Sequence, residues 1–303
     1  MTLNQLKYVI EISRKGSINE AARSLFISQP SLTGALKSLE DEIGFEIFTR
    51  TNSGIVQTVK GGEFLGYARS VMEQFDILDS KYISNRNIRR SFHVSMQHYT
   101  FAVNAFVSVI KKFGMDEFEF EIHETRTFEV IDNVKNGVSE IGVLYMNEYN
   151  SSVLEKILKD AGLKFTPLFE CGIYAYMSKS NPLSSKAEVT MEDLDACPCL
   201  AFYQGEHNSF YFSEEVLSTY DYKRIVRAND RATMLNLMVG INGYTLCSGL
   251  ICEDLNGSSY CAVKLKTEEK MTIGYISRKH SRISEMGALY IEELGKYRDA
   301  VMR

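Results

Sequence analysis

In the first part of the chain, apolar residues recur with the period of an α-helix. Apolar residues at positions 3, 6, 9, 10 and 12 predict a first helix, which ends at Gly16. Ser17 can cap a second, short helix, and Ser28 can cap a third helix that has Pro30 in its first turn and ends at Gly44. Two short helices joined by a tight break, the second with a polar N-terminal face, predict a helix-turn-helix.

Two short apolar segments, 45–48 and 55–56, flank a polar tip and predict the two strands of a wing. A longer helix follows from Gly61. Its apolar residues recur at steps of four and three: Phe64, Ala68, Val71, Phe75, Leu78 and Tyr82. This seam predicts that the helix pairs two chains, and packing on its own domain is the alternative. Residues 85–90 are polar and basic and predict a linker.

After residue 90 short apolar strands alternate with helices, which predicts an α/β domain with largely parallel sheets. This part of the chain is large for one core, so we divide it into two lobes with a cleft between them. The crossings are expected near Pro167 and near Lys266. The predicted domains are 1–60 (winged helix-turn-helix, all-α apart from its wing), 61–90 (linker and dimerisation helix) and 91–303 (lobe I about 91–166 and 267–303, lobe II about 167–266).

Charge and composition narrow the class of protein. The net charge is −5, but the first 90 residues carry 12 basic and 10 acidic side chains, whereas the remainder carries 22 and 29. A weakly basic front on an acidic body is mild support for a nucleic-acid contact. No apolar run approaches the ~18 residues of a membrane span, and no secretory signal precedes the first helix, so we expect a cytoplasmic protein with no membrane partner. Six cysteines among 303 residues are expected to be free thiols.

The spaced residues of the first part resemble the LysR-type transcriptional regulators. They are Ala21, Ala22, Arg23, Ser24, Leu25, Ser28, Gln29, Pro30, Ser31, Leu32, Leu39, Glu40, Gly44, Phe48, Arg50, Gly54, Thr58 and Gly61. Weaker marks of the family's effector domain lie at 132–137, 140–143 and 242–245. The resemblance covers essentially the whole chain. It implies an effector domain similar to type 2 periplasmic binding proteins, with an inducer bound between the lobes, and dimers that pair into tetramers.

The third helix is expected to lie in the major groove of double-stranded DNA with its N-terminal residues at base edges. Gln29 can bond adenine bidentately, Pro30 can contact a thymine methyl group, and Ser31 and Thr33 can bond bases or phosphate. Lys37 lies one turn further and is expected at phosphate. Arg50, on the wing, fits phosphate or the minor groove. A cap role for Gln29 and solvated surface charges for Lys37 and Arg50 are the alternatives.

Ligands of open α/β folds lie at the carboxyl ends of strands, near helix N-termini. Corners of this kind supply the candidate effector-binding residues: His98, Tyr99, Thr100, Thr125, Arg126, Thr127, Tyr203, Gln204 and Ser248. Two helix N-termini together with Arg126 favour a small anion such as a carboxylate. A surface ion pair for Arg126, helix caps for Thr100 and Thr127, and core packing for Tyr203 are the alternatives.

Other classes of function find less support. The sequence has no phosphate-binding loop, no zinc-protease motif and no nucleophile elbow, so we expect no enzyme, no cofactor and no metal. A thiol sensor that uses Cys197 and Cys199 is the main alternative, although cysteines one residue apart rarely form an unstrained disulfide. The expected partners are double-stranded DNA, a small-molecule effector, further copies of the chain as a dimer or tetramer, and RNA polymerase as a candidate.

Overall fold

The computed structural model describes residues 1–51, 54–79, 90–113, 118–206, 209–279 and 281–301. The chain forms two compact units, Met1–Arg89 and Arg90–Arg303. The polar segment that we predict as a linker, and Tyr82 at the end of the seam, lie almost entirely outside the described residues.

The first unit is a three-helix module with a two-stranded wing and a long helix. Its elements are α1 (Leu3–Lys15), α2 (Ile18–Ser24), α3 (Gln29–Ile43), β1 (Phe48–Thr51), β2 (Gly54–Gln57) and α4 (Val59–Asp79). The hydroxyls of Ser17 and Ser28 accept bonds from the backbone three residues later, as capping predicts. The strands β1 and β2 pair antiparallel. The apolar faces of these elements enclose one core, which includes Val9, Ile12, Ala22, Leu32, Leu36, Leu39, Ile47 and Leu65.

The seam on α4 is divided between this core and solvent. Ala68 is buried in its own unit, next to the fully buried Leu65. Further along the helix, Val71 is 46% exposed and Leu78 is 53% exposed. One part of the seam therefore serves the folding of the unit, and its C-terminal half leaves apolar side chains uncovered in the single chain.

The second unit contains two mixed sheets. The first has the order β4-β3-β5-β13-β6 and consists of β3 (Arg90–Met96), β4 (Phe118–Glu124), β5 (Ile141–Met146), β6 (Leu163–Cys171) and β13 (Met271–Arg278). The second has the order β10-β9-β11-β7-β12-β8 and consists of β7 (Tyr174–Ser178), β8 (Glu188–Val189), β9 (Cys199–Phe202), β10 (Ile225–Ala228), β11 (Tyr244–Cys247) and β12 (Tyr260–Leu265).

Helices cover and connect the sheets. They are α5 (Thr100–Phe113), α6 (Thr127–Lys135), α7 (Ser151–Asp160), α8 (Met191–Leu194), α9 (Arg231–Gly240), α10 (Glu253–Asn256), α11 (Glu285–Gly295) and α12 (Tyr297–Val301). The largest core cluster includes residues of both sheets, among them Phe92, Ile141, Ala175 and Tyr244. The two lobes thus share a continuous interior at the base of the cleft.

The expectation of largely parallel sheets is only partly right. The strands β13 and β7 run antiparallel to both of their neighbours in their sheets. They are the strands on which the chain has just crossed from one lobe to the other, so they enter their sheets in the reverse direction.

The first crossing lies later than the sequence suggests, between Cys171 and Tyr174, and the second lies between Leu265 and Met271. Pro167 does not end β6, because β6 is an edge strand and its pairing with β13 shifts register next to Pro167. A proline is tolerated where no ladder donor is needed, at a sheet edge or beside a bulge.

Candidate functional site

The N-terminal face of α3 presents its polar side chains to solvent. Gln29, Pro30 and Ser31 are exposed, and Thr33 is half-buried. The opposite face of the helix, with Leu32, Leu36 and Leu39, is buried in the core of the unit. The hydroxyl of Thr33 accepts a 3.0 Å bond from Gln29 Nε2, which keeps the amide on this face. The helix is therefore anchored along one side and free to contact a partner along the other.

The two basic residues predicted to meet DNA are placed differently. Lys37 is exposed two turns along α3 from Gln29. Arg50 lies in β1, and its side chain is outside the described part of the structure. An unpredicted feature is Phe26, in the turn between α2 and α3, which is 96% exposed and has a positive φ of 54°.

Several residues of the family motif hold the module together and do not face a partner. Glu40 Oε1 accepts bonds from the backbone N–H groups of Ile47 and Phe48, at 2.6 and 3.3 Å, and so fixes the start of the wing. Thr58 Oγ1 accepts from the Gly61 N–H at 2.9 Å. A Cβ on Gly61 would lie 2.0 Å from the carbonyl oxygen of Ile47, so only glycine allows α4 to approach the wing this closely.

The second unit has a cavity of about 80 Å³ between its two lobes. It lies at the carboxyl ends of β3, β9, β10 and β11, where the α/β fold is expected to bind ligands. Polar lining comes from His98, Thr100, Tyr176, Glu214, Glu215, Arg231, Thr245, Ser248 and Asn256. The remaining lining is mostly apolar and includes Phe101, Phe202, Met234, Met238, Leu246 and Met271.

Arg231 joins the lobes at one side of the cavity. It is the first residue of α9, and its guanidinium donates from Nη1 to Thr100 Oγ1 at 2.5 Å. Its Nε and Nη2 lie 3.1 and 2.9 Å from Glu124 Oε1. Asn256 also donates to the Thr100 hydroxyl, at 3.0 Å. Thr100, at the start of α5, is thus the point on lobe I where two residues of lobe II meet.

His98 and Glu214 form a buried pair that also lines the cavity. The carboxylate of Glu214 lies 2.8 Å from His98 Nδ1 and accepts from the His98 backbone N–H at 2.9 Å. The imidazole stacks on Phe202 with 3.7 Å between ring centroids. The neighbouring Glu215 accepts from the Phe202 N–H at 2.8 Å. Burial, together with the charge of Glu214, raises the pKa of Glu215 to about 8.

Residues 209–215, which we call the strap, extend from lobe II onto lobe I. The Phe212 carbonyl accepts from Thr127 Oγ1 at 2.7 Å, and the Tyr145 hydroxyl lies 3.1 Å from the carbonyl oxygen of Ser213. Tyr211 stacks on Tyr149 at 4.9 Å. The strap therefore closes the second side of the cleft and carries Glu214 and Glu215 into the cavity wall.

Of the nine predicted effector residues, four line the cavity: His98, Tyr99, Thr100 and Ser248. The other five, Thr125, Arg126, Thr127, Tyr203 and Gln204, are not among its lining. Gln204 is buried and donates to Glu214 at 2.9 Å, while its Oε1 lies 3.3 Å from the Thr127 N–H. Gln204 of lobe II and Thr127 of lobe I therefore connect the two lobes outside the cavity lining.

Arg126 does not line the cavity but contacts residues of lobe II. Its guanidinium lies 5.4 Å from the ring centre of Tyr203 and 3.6 Å from Glu129. A Cβ on Gly205, where φ is +67°, would lie 2.5 Å from Arg126 Nη1. The arginine therefore packs against the 203–205 turn, and the hydroxyl of Thr125 donates to Glu129 beside it.

Sequence reasoning missed the residues that carry most of the charge in the cavity: Glu214, Glu215 and Arg231. A signal was present for Arg231, because it is the first residue of a helix that follows a short strand, and Arg126 is placed similarly as the N-cap of the helix after β4. The strap gave no such signal, since its carboxylates follow an aromatic turn and not a strand.

Five of the six cysteines are poorly suited to reactivity. Burial raises the pKa of Cys171 and of Cys199 to about 12 and that of Cys247 to about 11, and it also raises the pKa values of Cys252 and Cys261. The thiolate is the reactive form, so these thiols are held in the unreactive one. Cys197 is half-buried, and its sulfur lies 3.6 Å from Asn181 Nδ2.

Two kinds of feature are absent from the described part of the chain: a metal-binding cluster and a membrane-spanning helix. No group of three or more His, Cys, Asp or Glu side chains has a geometry that could hold a metal ion. No described helix is both long and apolar enough to cross a membrane.

Comparison with family models matches both units. Residues 3–62 match the model for bacterial regulatory helix-turn-helix proteins of the lysR family. Residues 98–297 match the model for the LysR substrate binding domain. The two matches together span most of the chain.

Among curated proteins, the chain is 22% identical over 292 residues to a hydrogen peroxide-inducible genes activator of Dickeya chrysanthemi, covering 93% of this chain and 90% of that one. It is 23% identical over 290 residues to the HTH-type transcriptional regulator YbhD of Escherichia coli, covering 93% and 87%. It is 39% identical over 77 residues to the regulator ClcR of Pseudomonas putida, covering 25% and 26%.

Two solved structures show the same fold along the chain. A full-length OxyR variant from Pseudomonas aeruginosa aligns with a TM-score of 0.68 at 18% identity, covering 97% of this chain and 98% of that one. Full-length CbnR, solved in complex with its target DNA, aligns with a TM-score of 0.53 at 18% identity, covering 98% and 99%.

Proposed function

The chain belongs to the LysR family of bacterial transcriptional regulators, and from this premise we propose that α3 reads specific sites on double-stranded DNA while a small molecule in the cleft cavity modulates the outcome. Family membership establishes a DNA-binding domain and an effector-binding domain. The single observation that carries the DNA-reading part is the exposed N-terminal face of α3 on a buried apolar base. Because the proposed target is DNA, we propose that the protein acts in the cytoplasm.

The proposed division of labour on the DNA follows from side-chain chemistry. Gln29 and Ser31 are polar and exposed, so they supply hydrogen bonds to base edges, with Pro30 and Thr33 beside them. Lys37 and Arg50 supply charge to phosphates, which adds affinity and little discrimination. CbnR, solved with its target DNA, shares the fold and supports this use of the module.

The test of DNA reading begins with a footprint on the intergenic region beside the gene of this protein. Gln29→Ala is then compared with the natural chain on that site and on random DNA. Because a bidentate base contact contributes about 1–3 kcal/mol, we expect about a fivefold or larger loss on the site and little change on random DNA. Lys37→Ala is the matched control and should weaken both. Equal losses with Gln29→Ala on both DNAs would refute base reading by this residue.

The cavity supports the effector part of the proposal. It lies between the lobes, where closure around a bound molecule adds contacts from both sides. A ligand shifts a conformational equilibrium only if it binds one state better, and a site shared by two lobes provides this difference. His98, Tyr99, Thr100 and Ser248 belong to the proposed site, and Arg231 joins them. RNA polymerase remains a proposed partner of the DNA-bound regulator.

Thiol sensing is the second candidate, because several relatives are named as hydrogen peroxide-inducible genes activators. The raised pKa of Cys199 weighs against it. We therefore expect hydrogen peroxide to leave the DNA affinity of the reduced protein unchanged. An oxidant response that disappears in both Cys197→Ser and Cys199→Ser would favour the thiol sensor over the cavity.

A further inference from the structure

The charge balance of the cavity bears on what kind of effector it accepts. Among the described lining residues, Arg231 is the only lysine or arginine. Glu124 lies against its Nε and Nη2, at 3.1 and 2.9 Å, and Thr100 accepts from its Nη1. The positive charge is therefore already neutralised by a carboxylate of the opposite lobe.

The strap contributes two acidic side chains to the cavity lining and no basic one. Glu214 and Glu215 both line the cavity, and each is about 95% buried. His98 is the only cationic partner that the lining offers Glu214. Counted together with Glu124, the charged side chains around the cavity carry no net positive charge, even with a proton on both His98 and Glu215. A carboxylate ligand would have to share Arg231 with Glu124 and lie close to the Glu214 carboxylate, and like charges at this distance disfavour one another.

Two buried polar atoms of the lining residues have no hydrogen-bond partner among the described residues: Arg231 Nη2, which lies 2.9 Å from a carboxylate oxygen of Glu124, and Thr245 Oγ1. Thr245 lies in β11 and is 7% exposed. Buried hydroxyls are normally bonded, so an unbonded one in a cavity wall points to a ligand. The side chains of Leu246, Met234 and Met271 line the same space and are apolar.

The volume limits the size of the molecule. About 80 Å³ is roughly half of the ~150 Å³ of an engineered protein cavity that binds benzene. In this conformation the space fits a molecule of a few heavy atoms, with one polar group and a short apolar part.

We propose that the effector is a small uncharged molecule whose polar group bonds to the hydroxyl of Thr245, with its apolar part against Leu246 and Met271. This inference rests on the proposed function and specifies the chemical class of the ligand at the same site. An amide, alcohol or carbonyl group meets the requirement, since each can bond to a hydroxyl without bringing a charge into the cleft.

Propionamide and propionate test the charge directly, because they have the same shape and differ in charge. Each is titrated against the full chain at equal concentration and ionic strength, with the melting temperature and the calorimetric affinity as readouts. We expect propionamide to stabilise the protein and to bind at least fivefold more tightly than propionate.

Thr245→Val removes the hydroxyl and keeps the shape of the side chain. It should weaken propionamide about fivefold to tenfold, the loss of one hydrogen bond, whereas Thr272→Val, on β13 and not in the cavity lining, should leave the affinity unchanged. Tighter binding of propionate that still depends on Thr245 would overturn the uncharged class and leave the effector site standing. Binding of neither probe, or binding that Thr245→Val does not change, would overturn the inference itself, while DNA reading by Gln29 is tested separately.

Discussion

Glu215 shows how a single buried carboxyl group makes the fold sensitive to pH. Its side chain is enclosed by the strap and β9, and its partner there is the N–H of Phe202 at 2.8 Å. Burial and the neighbouring Glu214 raise its pKa to about 8, from an ordinary value of 4.5. The folded protein therefore keeps this proton over a range in which the unfolded chain has released it.

We expect this difference to make the protein less stable as pH rises from about 4.5 to about 8. The folded state binds more protons than the unfolded one in this window, so the free energy of unfolding falls by at most about 1.4 kcal/mol per pH unit. Glu215→Gln keeps the acceptor for Phe202 and removes the titration. Urea unfolding at several pH values should show a flatter profile for this variant.

Glu148→Gln is the control, because Glu148 is exposed and its replacement should leave the profile unchanged. A natural chain whose stability rises steadily between pH 5 and 8, with the same slope in Glu215→Gln, would contradict the proposed burial effect.

Single residues also show where sequence reasoning reaches its limit. Arg126 and Arg231 both stand at the start of a helix that follows a strand, and local sequence does not distinguish them. Only the folded structure shows that Arg126 packs on the 203–205 turn and that Arg231 lies in the cavity wall. The difference arises from long-range contacts, with Tyr203 in one case and Thr100 in the other.

Among the helices and strands, the local sequence predicts the bounds best for elements that bury a single apolar stripe. The bounds of α1 and α3 follow their caps and their apolar period, because Gly16 and Gly44 end them in the left-handed conformation. The first crossing was predicted near Pro167, but it lies between Cys171 and Tyr174, where one strand ends and the next begins in the other sheet. Both strands are apolar for most of their length, so periodicity does not reveal the crossing.

The exposed end of α4 carries the prediction about assembly. Leu78 is 53% exposed in the single chain, so Leu78→Glu should leave the fold intact. If the seam joins two chains, the variant buries an unpaired charge at the interface and should shift the dimer towards monomer. Sedimentation at micromolar concentration measures this change.

Gln74→Glu supplies the matched control, because it adds the same charge to an exposed position of α4 outside the seam. It should leave the sedimenting mass unchanged. A Leu78→Glu protein with the mass of the natural assembly would show that this part of the helix is not the interface.

Across the whole molecule, the family models confirm the resemblance read from the spaced residues of the first part, and the solved relatives share the predicted combination of winged helix-turn-helix and two-lobed effector domain. This much was accessible because motif residues such as Glu40 and Gly61 are fixed by the fold itself. The chemistry of the cleft was less accessible. It depends on the strap, whose aromatic residues dock on lobe I through contacts far apart in sequence, Tyr211 with Tyr149 among them.

The two units must communicate if the protein is a regulator, and the coupling obeys a strict condition. A molecule that changes the DNA affinity by some factor must have its own affinity changed by DNA through the same factor. We expect the effector to change the bend of the DNA more than the DNA affinity, because closure of the cleft would shift the spacing between the paired DNA-binding units. Titration calorimetry of propionamide with and without the footprinted site measures one side of the cycle, and DNA binding with and without propionamide measures the other. Energy transfer between dyes at the ends of the DNA reports the bend. If a probe that depends on Thr245 changes neither DNA affinity nor bend, the cavity binds molecules without controlling the DNA-binding unit, and the effector role proposed for it is wrong.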